Sequence, residues 1–276
     1  MHTPVLLDQV IEALNIKKNG LYIDATFGEG GYSRAIIDKG GKVLGIDLDK
    51  DQLTNFRVKE LTGLKVVEGN FADIEKIAKE NNFFPVDGIV FDLGLSMSQI
   101  SRSGRGFSFK KFNEPLDMRI SLNSEMQAKD LLNHLSESEL YDVFAKNSEE
   151  VNSQKIAHEI IIKRQFKKLE TVGDLINCID KAIGETSNNV YKKIFQALRI
   201  EVNQEFDNLK KGLIGASSLI KEKGKIAVVT FHSLEDRIVK KFSKIQGIKL
   251  LIKKPIVNRS GKSYERSAKL RVLGRI

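Results

Sequence analysis

Apolar residues in the first third of the chain fall into short runs separated by amphipathic stretches. Leu21–Ile23, Val43–Ile46, Leu64–Val67 and Gly88–Phe91 are too short for helices, and three of them run into an acid: Asp24, Asp47 and Asp92. They predict four strands. Between them, Ser33–Lys39, Lys50–Leu61 and Asp73–Glu80 carry helical spacing. Regular alternation of strand and helix predicts right-handed crossovers and a doubly wound, mostly parallel sheet.

The pattern then changes. From Ser101 to Asn208 no strand-like run occurs, and Glu125–Ala145, Val151–Phe166, Val172–Ile183 and Tyr191–Leu213 show helical spacing instead. In the last, Ile194, Phe195, Leu198, Val202, Phe206 and Leu209 recur every three or four positions, which marks one helix face. Lys225–Phe231 predicts a further strand, Leu234–Lys244 a helix, and Lys249–Ile252 and Ala268–Leu273 two closing strands. The expected architecture is therefore a Rossmann-like α/β core over residues 1–104 and 209–276, split by an all-helical insertion at 105–208. A crossover needs only about a dozen residues, so the insertion reads as a module with its own task.

Hydrophobic residues make up 41% of the chain and charged residues 29%, the balance of a globular protein with a core. No apolar run approaches the ~20 residues of a membrane span, and no basic segment followed by an apolar run opens the chain. A cytoplasmic protein with no membrane association is expected. The single cysteine, Cys178, excludes an intrachain disulfide and a multi-cysteine zinc site. The four histidines show no metal-ligand spacing, so no metal is expected. The net charge of +9 is unevenly spread. From Arg237 onward there are 13 Lys or Arg against one acid, Glu265, which gives that stretch about +12 and leaves the rest near −3. A polyanionic partner fits this asymmetry; a solvated basic face is the plainer reading.

Candidate chemistry gathers where the predicted strands end. The first strand runs into Asp24-Ala25-Thr26-Phe27-Gly28-Glu29-Gly30-Gly31-Tyr32-Ser33. Ser33 occupies the third glycine position of a dinucleotide fingerprint, so an NAD enzyme is disfavoured. The acid followed by D-x-x-x-G-x-G-G instead resembles the first motif of class I methyltransferases. Asp47, 23 residues after Asp24, can accept from ribose hydroxyls, and Phe71 either stacks on adenine or fills the core. Asp92 stands where an acceptor would meet a methyl group. It can orient a poorly nucleophilic amine there, or serve cofactor binding alone. Carbon-5 methylation of cytosine needs a cysteine nucleophile, and Cys178, among Leu175, Ile176 and Ile179, reads as core. Beyond Asp92, the cations Arg102, Arg105, Lys110, Lys111 and Arg119 interleave with Phe107, Phe109 and Phe112. That mixture suits phosphate pairing and base stacking, and equally suits packing under a lid. His232 is a candidate acceptor contact or a structural hydrogen bonder.

Together these segments resemble the bacterial 16S ribosomal RNA cytosine-N(4) methyltransferase family, RsmH (MraW), over nearly the whole chain. The resemblance rests on His2 to Leu7, Asp24 to Ser33, Val86 to Gln99, Arg105 to Phe109, Pro115 to Arg119, Phe195 to Ile200, Phe231 to Arg237 and Arg266 to Arg271. It implies S-adenosyl-L-methionine as cofactor, held by Gly30, Gly31, Tyr32, Asp47, Phe71, Asp92 and Gln99. It further implies methylation of a cytidine in the decoding region of 16S rRNA, with Asp92 catalytic. Arg105, Phe107, Phe109, Arg119 and His232 are the candidate substrate contacts, and the assembled or nearly assembled small ribosomal subunit is the expected substrate. Methylation of another RNA, a protein or a small molecule, and a noncatalytic assembly role, stand as alternatives. The chain departs from the family at Tyr32, where histidine is usual, at Ser96-Met97-Ser98-Gln99, which lacks the usual proline, at Asn147 to Val151 and at Gly261 to Glu265.

Overall fold

The computed structural model describes residues 4–50, 53, 61–94, 103–245, 247–258 and 266–275. The predicted helix at Lys50–Leu61 lies almost wholly outside these residues, as does Gln99. The chain divides into two compact units, one of residues 1–94 and 206–276, the other of residues 95–205.

The first unit is built on a sheet with strands β1 (Leu21–Asp24), β2 (Lys42–Asp47), β3 (Leu64–Glu68), β4 (Val86–Asp92), β5 (Ile220–Thr230), β6 (Ile248–Leu250), β7 (Ile256–Val257) and β8 (Lys269–Arg275). Their order is β3-β2-β1-β4-β5-β8-β6, with β7 also paired to β8. The strands from β3 to β5 are parallel, and β8 runs antiparallel to β5. Successive residues alternate between two cores. Ile23, Leu44, Ile89, Phe91, Ile226 and Val228 face one; Tyr22, Val43, Val90, Ala227 and Val229 face the other. The second core is covered by α1 (Leu7–Leu14) and α2 (Gly31–Asp38), the first by α3 (Ile74–Glu80), α9 (Glu205–Leu219) and α10 (Ser233–Phe242). Helices thus cover both faces, which is why β4 is buried along nearly its whole length instead of alternating. This is the doubly wound Rossmann-like core expected from the sequence. Helix α1 was not expected, although Leu7, Val10, Ile11 and Leu14 carry its spacing.

The second unit holds α4 (Ala128–His134), α5 (Glu137–Ser148), α6 (Ser153–Phe166), α7 (Val172–Ile183) and α8 (Asn188–Val202) around one apolar cluster. Cys178 sits in that cluster at 2% exposure, and burial pushes its thiol up to about 11. Two predicted helices are each broken. The segment 125–145 divides at Ser136, whose side chain caps α5 while Glu139 bonds back to the Ser136 backbone N–H. The segment 191–213 divides after Val202. The Asn203 side chain accepts from the Ile120 N–H at 2.8 Å and donates to the Met118 carbonyl at 2.8 Å. Gln204 then takes a left-handed φ of 50°. Both breaks leave the apolar spacing intact, so periodicity alone runs through them. Among the described residues no helix is long and apolar enough to cross a membrane.

Candidate active site

The strand order reverses between β1 and β4, and in open α/β sheets ligands bind at the carboxyl ends of strands beside such a switch point. Asp24, Asp47 and Asp92 all stand at those ends. The loop from β1 turns sharply over the sheet, with Gly28 and Gly30 at φ 52° and 70°, a region that side chains disfavour. Gly30 is the N-cap of α2, so the main-chain N–H groups of Gly31 and Tyr32 open the helix beside the loop. A Cβ at Gly31 would lie 2.3 Å from Pro4 Cγ, so the N-terminal segment rests directly on the loop.

Asp47 fastens this loop to β2. Its Oδ2 accepts from the Gly28 N–H at 2.6 Å and its Oδ1 from the Asp49 N–H at 2.8 Å. Burial raises its carboxyl above the ordinary range, against these backbone donors. A carboxylate offers about four acceptor sites, more than its backbone donors Gly28, Asp49 and Leu48 fill, so the group can still accept a hydroxyl. Phe71 follows the Asn70 cap after β3 and meets Phe91 edge-on at 5.7 Å. Its ring is partly buried, with Phe91 at one edge and Gly212 of α9 packed close to another. This set of acceptors, open main-chain N–H groups and a half-covered aromatic fits the polar and aromatic parts of a nucleoside cofactor.

Asp92 ends β4 with its backbone N–H donating to Thr26 Oγ1 at 2.7 Å. Its Oδ1 accepts from the Gly94 N–H at 3.2 Å, while the Tyr32 hydroxyl donates to the Val5 carbonyl. Burial, with Asp24 and Glu235 nearby, pushes this carboxyl up to about 7. Asp24 is fully buried, takes a 2.7 Å bond from the Ser33 hydroxyl, and is itself raised to about 6 by burial. Two acids raised toward neutrality at one strand-end cluster make this a candidate functional site on physical grounds. Thr26 and Glu235, which help complete the cluster, were given no role in the sequence, and Ser33 was read there only as the break in a dinucleotide fingerprint. Each carries a signal only through its place beside an acid or a strand end.

His232 caps α10. Its Nδ1 accepts from the Glu235 N–H at 3.5 Å, and its Nε2 lies 2.9 Å from Glu235 Oε1, close but poorly aligned for a hydrogen bond. Its ring meets Phe206 at 5.8 Å. Buried Glu235 in turn accepts from the Phe231 N–H at 2.8 Å. The cap thus accounts for Nδ1, while the buried Nε2 has no hydrogen-bond partner among the described residues.

Arg105, Phe107, Phe109 and Arg119 belong to the second unit. The Arg105 guanidinium donates to the carbonyls of Arg119 and Ile120 at 2.9 and 2.8 Å, and lies 6.0 Å from the Phe107 ring centre. Arg119 forms a two-pronged pair with Asp117 at 2.7 and 2.9 Å and donates to the Ser124 carbonyl at 2.6 Å. Phe107 and Phe109 pack against the helical core, Phe109 beside Tyr191 at 5.7 Å. These four residues knit their own segment together. In the basic C-terminal stretch, Arg271 pairs with Asp236 at 2.5 and 2.9 Å and is buried, whereas Arg237, Lys240, Lys241, Lys244, Lys249, Lys253 and Lys254 are exposed.

The model of the MraW methylase family matches residues 1–276. The ribosomal RNA small subunit methyltransferase H of Dictyoglomus thermophilum is 41% identical over 99% of this chain and 96% of its own. The enzyme of that name from Clostridium botulinum (strain Loch Maree / Type A3) is 38% identical over 100% of this chain and 99% of its own. The solved structure of a putative rRNA methylase from Clostridium thermocellum aligns over 100% of both chains, with a TM-score of 0.46 at 15% identity.

Proposed function

The chain belongs to the MraW methylase family, and from that premise we propose that it methylates the exocyclic N(4) amine of a cytidine in the decoding region of 16S rRNA. The observation that carries this reading is Asp92, a carboxyl pushed up to about 7 at the switch-point end of β4. The methyl donor is S-adenosyl-L-methionine, which when bound supplies an electrophilic methyl group on a sulfonium. The main chain of Gly30, Gly31 and Tyr32 holds its amino-acid part, Asp47 accepts from its ribose hydroxyls, and Phe71 packs on its adenine. Gln99 completes the set by family resemblance and lies outside the described residues.

A cytosine amine donates its lone pair to the ring and is a weak nucleophile. Asp92 accepts an N–H bond from it and turns the nitrogen toward the methyl, so that positioning supplies much of the rate. Once methylated, the nitrogen is acidic, and an ionised Asp92 can take the proton. Cys178, buried with a raised thiol, does not suit carbon-5 chemistry. Arg105, Phe107, Phe109 and Arg119 serve the substrate by shaping their segment, and His232 by fixing the end of β5. The exposed lysines of the C-terminal stretch meet RNA phosphates and make binding salt-dependent. A base-paired cytosine must leave its stack to react. The substrate is therefore structured RNA within the assembled or nearly assembled small subunit.

The test is incubation with labelled S-adenosyl-L-methionine and small subunits lacking the modification, followed by nucleoside mass spectrometry. Label in N(4)-methylcytidine is expected. Label in another nucleoside or in protein, or no label with cofactor binding intact, overturns the reading.

A further inference from the structure

The amino-terminal end of the sheet, opposite Asp92, carries charge that the methyl-transfer site does not use. Asp87, the second residue of β4, is 8% exposed. Its Oδ1 accepts from Lys17 Nζ at 2.8 Å, and its Oδ2 from Lys221 Nζ at 2.7 Å and the Leu21 N–H at 3.2 Å. One carboxylate thus gathers two ammonium groups. Lys225, in register with Gly88, brings a third to the same edge, its Nζ donating to the Ala13 carbonyl at 2.6 Å. The Lys17 and Lys221 side chains keep 64% and 41% of their surface in solvent, so both remain open to a ligand.

The backbone on both sides is bent to present these lysines. Between Val86 and Gly88 β4 advances two residues, while β5 advances five, from Ile220 to Lys225. Residues 221–224 therefore bulge out of the ladder, and bulges re-aim side chains. Lys223 sits in the bulge at a φ of 62°, a conformation that a lysine disfavours. Across β4, the loop before β1 turns through Asn15 and Asn19 at φ 52° and 60° and is fixed by the Lys17 N–H on the Tyr22 hydroxyl at 2.8 Å. Lys18 in that loop and Lys223 in the bulge are exposed and have no hydrogen bond or ion pair among the described residues.

We propose that this edge is a second RNA-binding surface, at which Lys17, Lys18, Lys221, Lys223 and Lys225 meet backbone phosphates. Five ammonium groups against Asp87 and the exposed Glu222 leave a local charge of +3. Phosphate contacts of this kind fix the register and orientation of a nucleic acid without reading its sequence. The seven residues of β4, at about 3.3 Å each, put the edge about 20 Å from Asp92. A phosphate held there belongs to a different part of the RNA from the reacting cytidine, so the surface favours a folded RNA over a short strand. The inference rests on the reading of the substrate as RNA and supplies the chemistry by which its fold is sensed.

Lys17 and Lys221 also hold Asp87, so the test falls on Lys18 and Lys223. Lys18→Glu with Lys223→Glu is compared with Lys76→Glu with Lys211→Glu, an equal change of net charge on the exposed surface of α3 and α9. Binding to small subunits lacking the modification is followed by co-sedimentation across salt concentrations, and methylation of the same subunits gives kcat and KM. In the edge pair the slope of log affinity against log salt should flatten by about two. KM for small subunits should rise about tenfold, with kcat and KM for S-adenosyl-L-methionine within about twofold, as loss of uniform binding requires. The α3 and α9 pair should move the slope less than half as much. Lys18→Gln with Lys223→Gln should flatten it by at least about one, and decides the matter if the reversed pair does not fold. Equal changes in the two reversed pairs, or an unchanged slope and KM in the edge pair, overturn the inference. So does a loss confined to kcat, which places the lysines in the reaction and not in binding. If the wild type binds small subunits but methylates no cytidine, the proposed reaction fails while the salt slope still judges the edge. A wild type that binds no small subunit overturns both.

Discussion

Asp24→Asn isolates the cost of holding an acid under the cofactor loop. Asp24 is fully buried, and its Oδ1 has no hydrogen-bond partner among the described residues. Burial raises its carboxyl from an ordinary 3.8 to about 6. A raised pKa means that the folded state favours the neutral form. The associated stability is therefore present below about pH 4 and is lost as pH rises through about 6. The full loss, about two pH units, is on the order of 3 kcal/mol, most of which falls between pH 4 and pH 8. Asparagine keeps an oxygen for the Ser33 hydroxyl and does not titrate. Any fixed cost of the buried amide is the same at every pH, so only the pH-dependent part is diagnostic. Urea unfolding followed by circular dichroism, with amide exchange of β1 reporting the unit that holds Asp24, should show the variant gaining on the wild type by about 2–3 kcal/mol from pH 4 to pH 8. A difference that stays flat with pH, or that favours the wild type at pH 8 more than at pH 4, refutes the reasoning.

Three further outcomes are expected. Arg119→Lys replaces a two-pronged guanidinium pair with a single ammonium and loses the Ser124 carbonyl, so the melting temperature should drop by the equivalent of about 1–3 kcal/mol. Asn203→Ala leaves the Ile120 N–H and the Met118 carbonyl without that partner; thermal unfolding should register a loss of about 1–3 kcal/mol. Among the described residues, Lys253 and Lys254 make no side-chain hydrogen bond, so reversing them to glutamate leaves the described fold's bonds intact. It should leave the melting temperature unchanged while flattening the dependence of RNA affinity on salt, measured by filter binding across salt concentrations, by a slope of about two.

The sheet, its helices on both faces and the helical character of residues 101–208 were legible from apolar spacing because burial on two faces imposes that spacing locally. The glycine loop and the acids at Asp24, Asp47 and Asp92 were legible because a strand-end acid followed by glycines has few other uses. The breaks at Ser136 and Asn203 were hidden. Capping and long-range side-chain bonds make them, and the apolar rhythm continues across both. Charge was legible only as a sum: Arg271 in the basic stretch is buried on Asp236, and Arg105 and Arg119 spend their donors on their own segment. The sequence by itself determined where the chemical groups would stand, since residue type and strand register place them at one sheet edge. Only the tertiary structure decided what each acid is at neutral pH. Asp92 and Asp24 owe their raised carboxyls first to burial, and then to neighbouring acids: Asp24 and Glu235 beside Asp92, and Asp47 beside Asp24, with Glu235 arriving on helix α10. Desolvation and Coulomb interaction depend on distances between segments far apart in the chain, and spacing along the chain does not encode them.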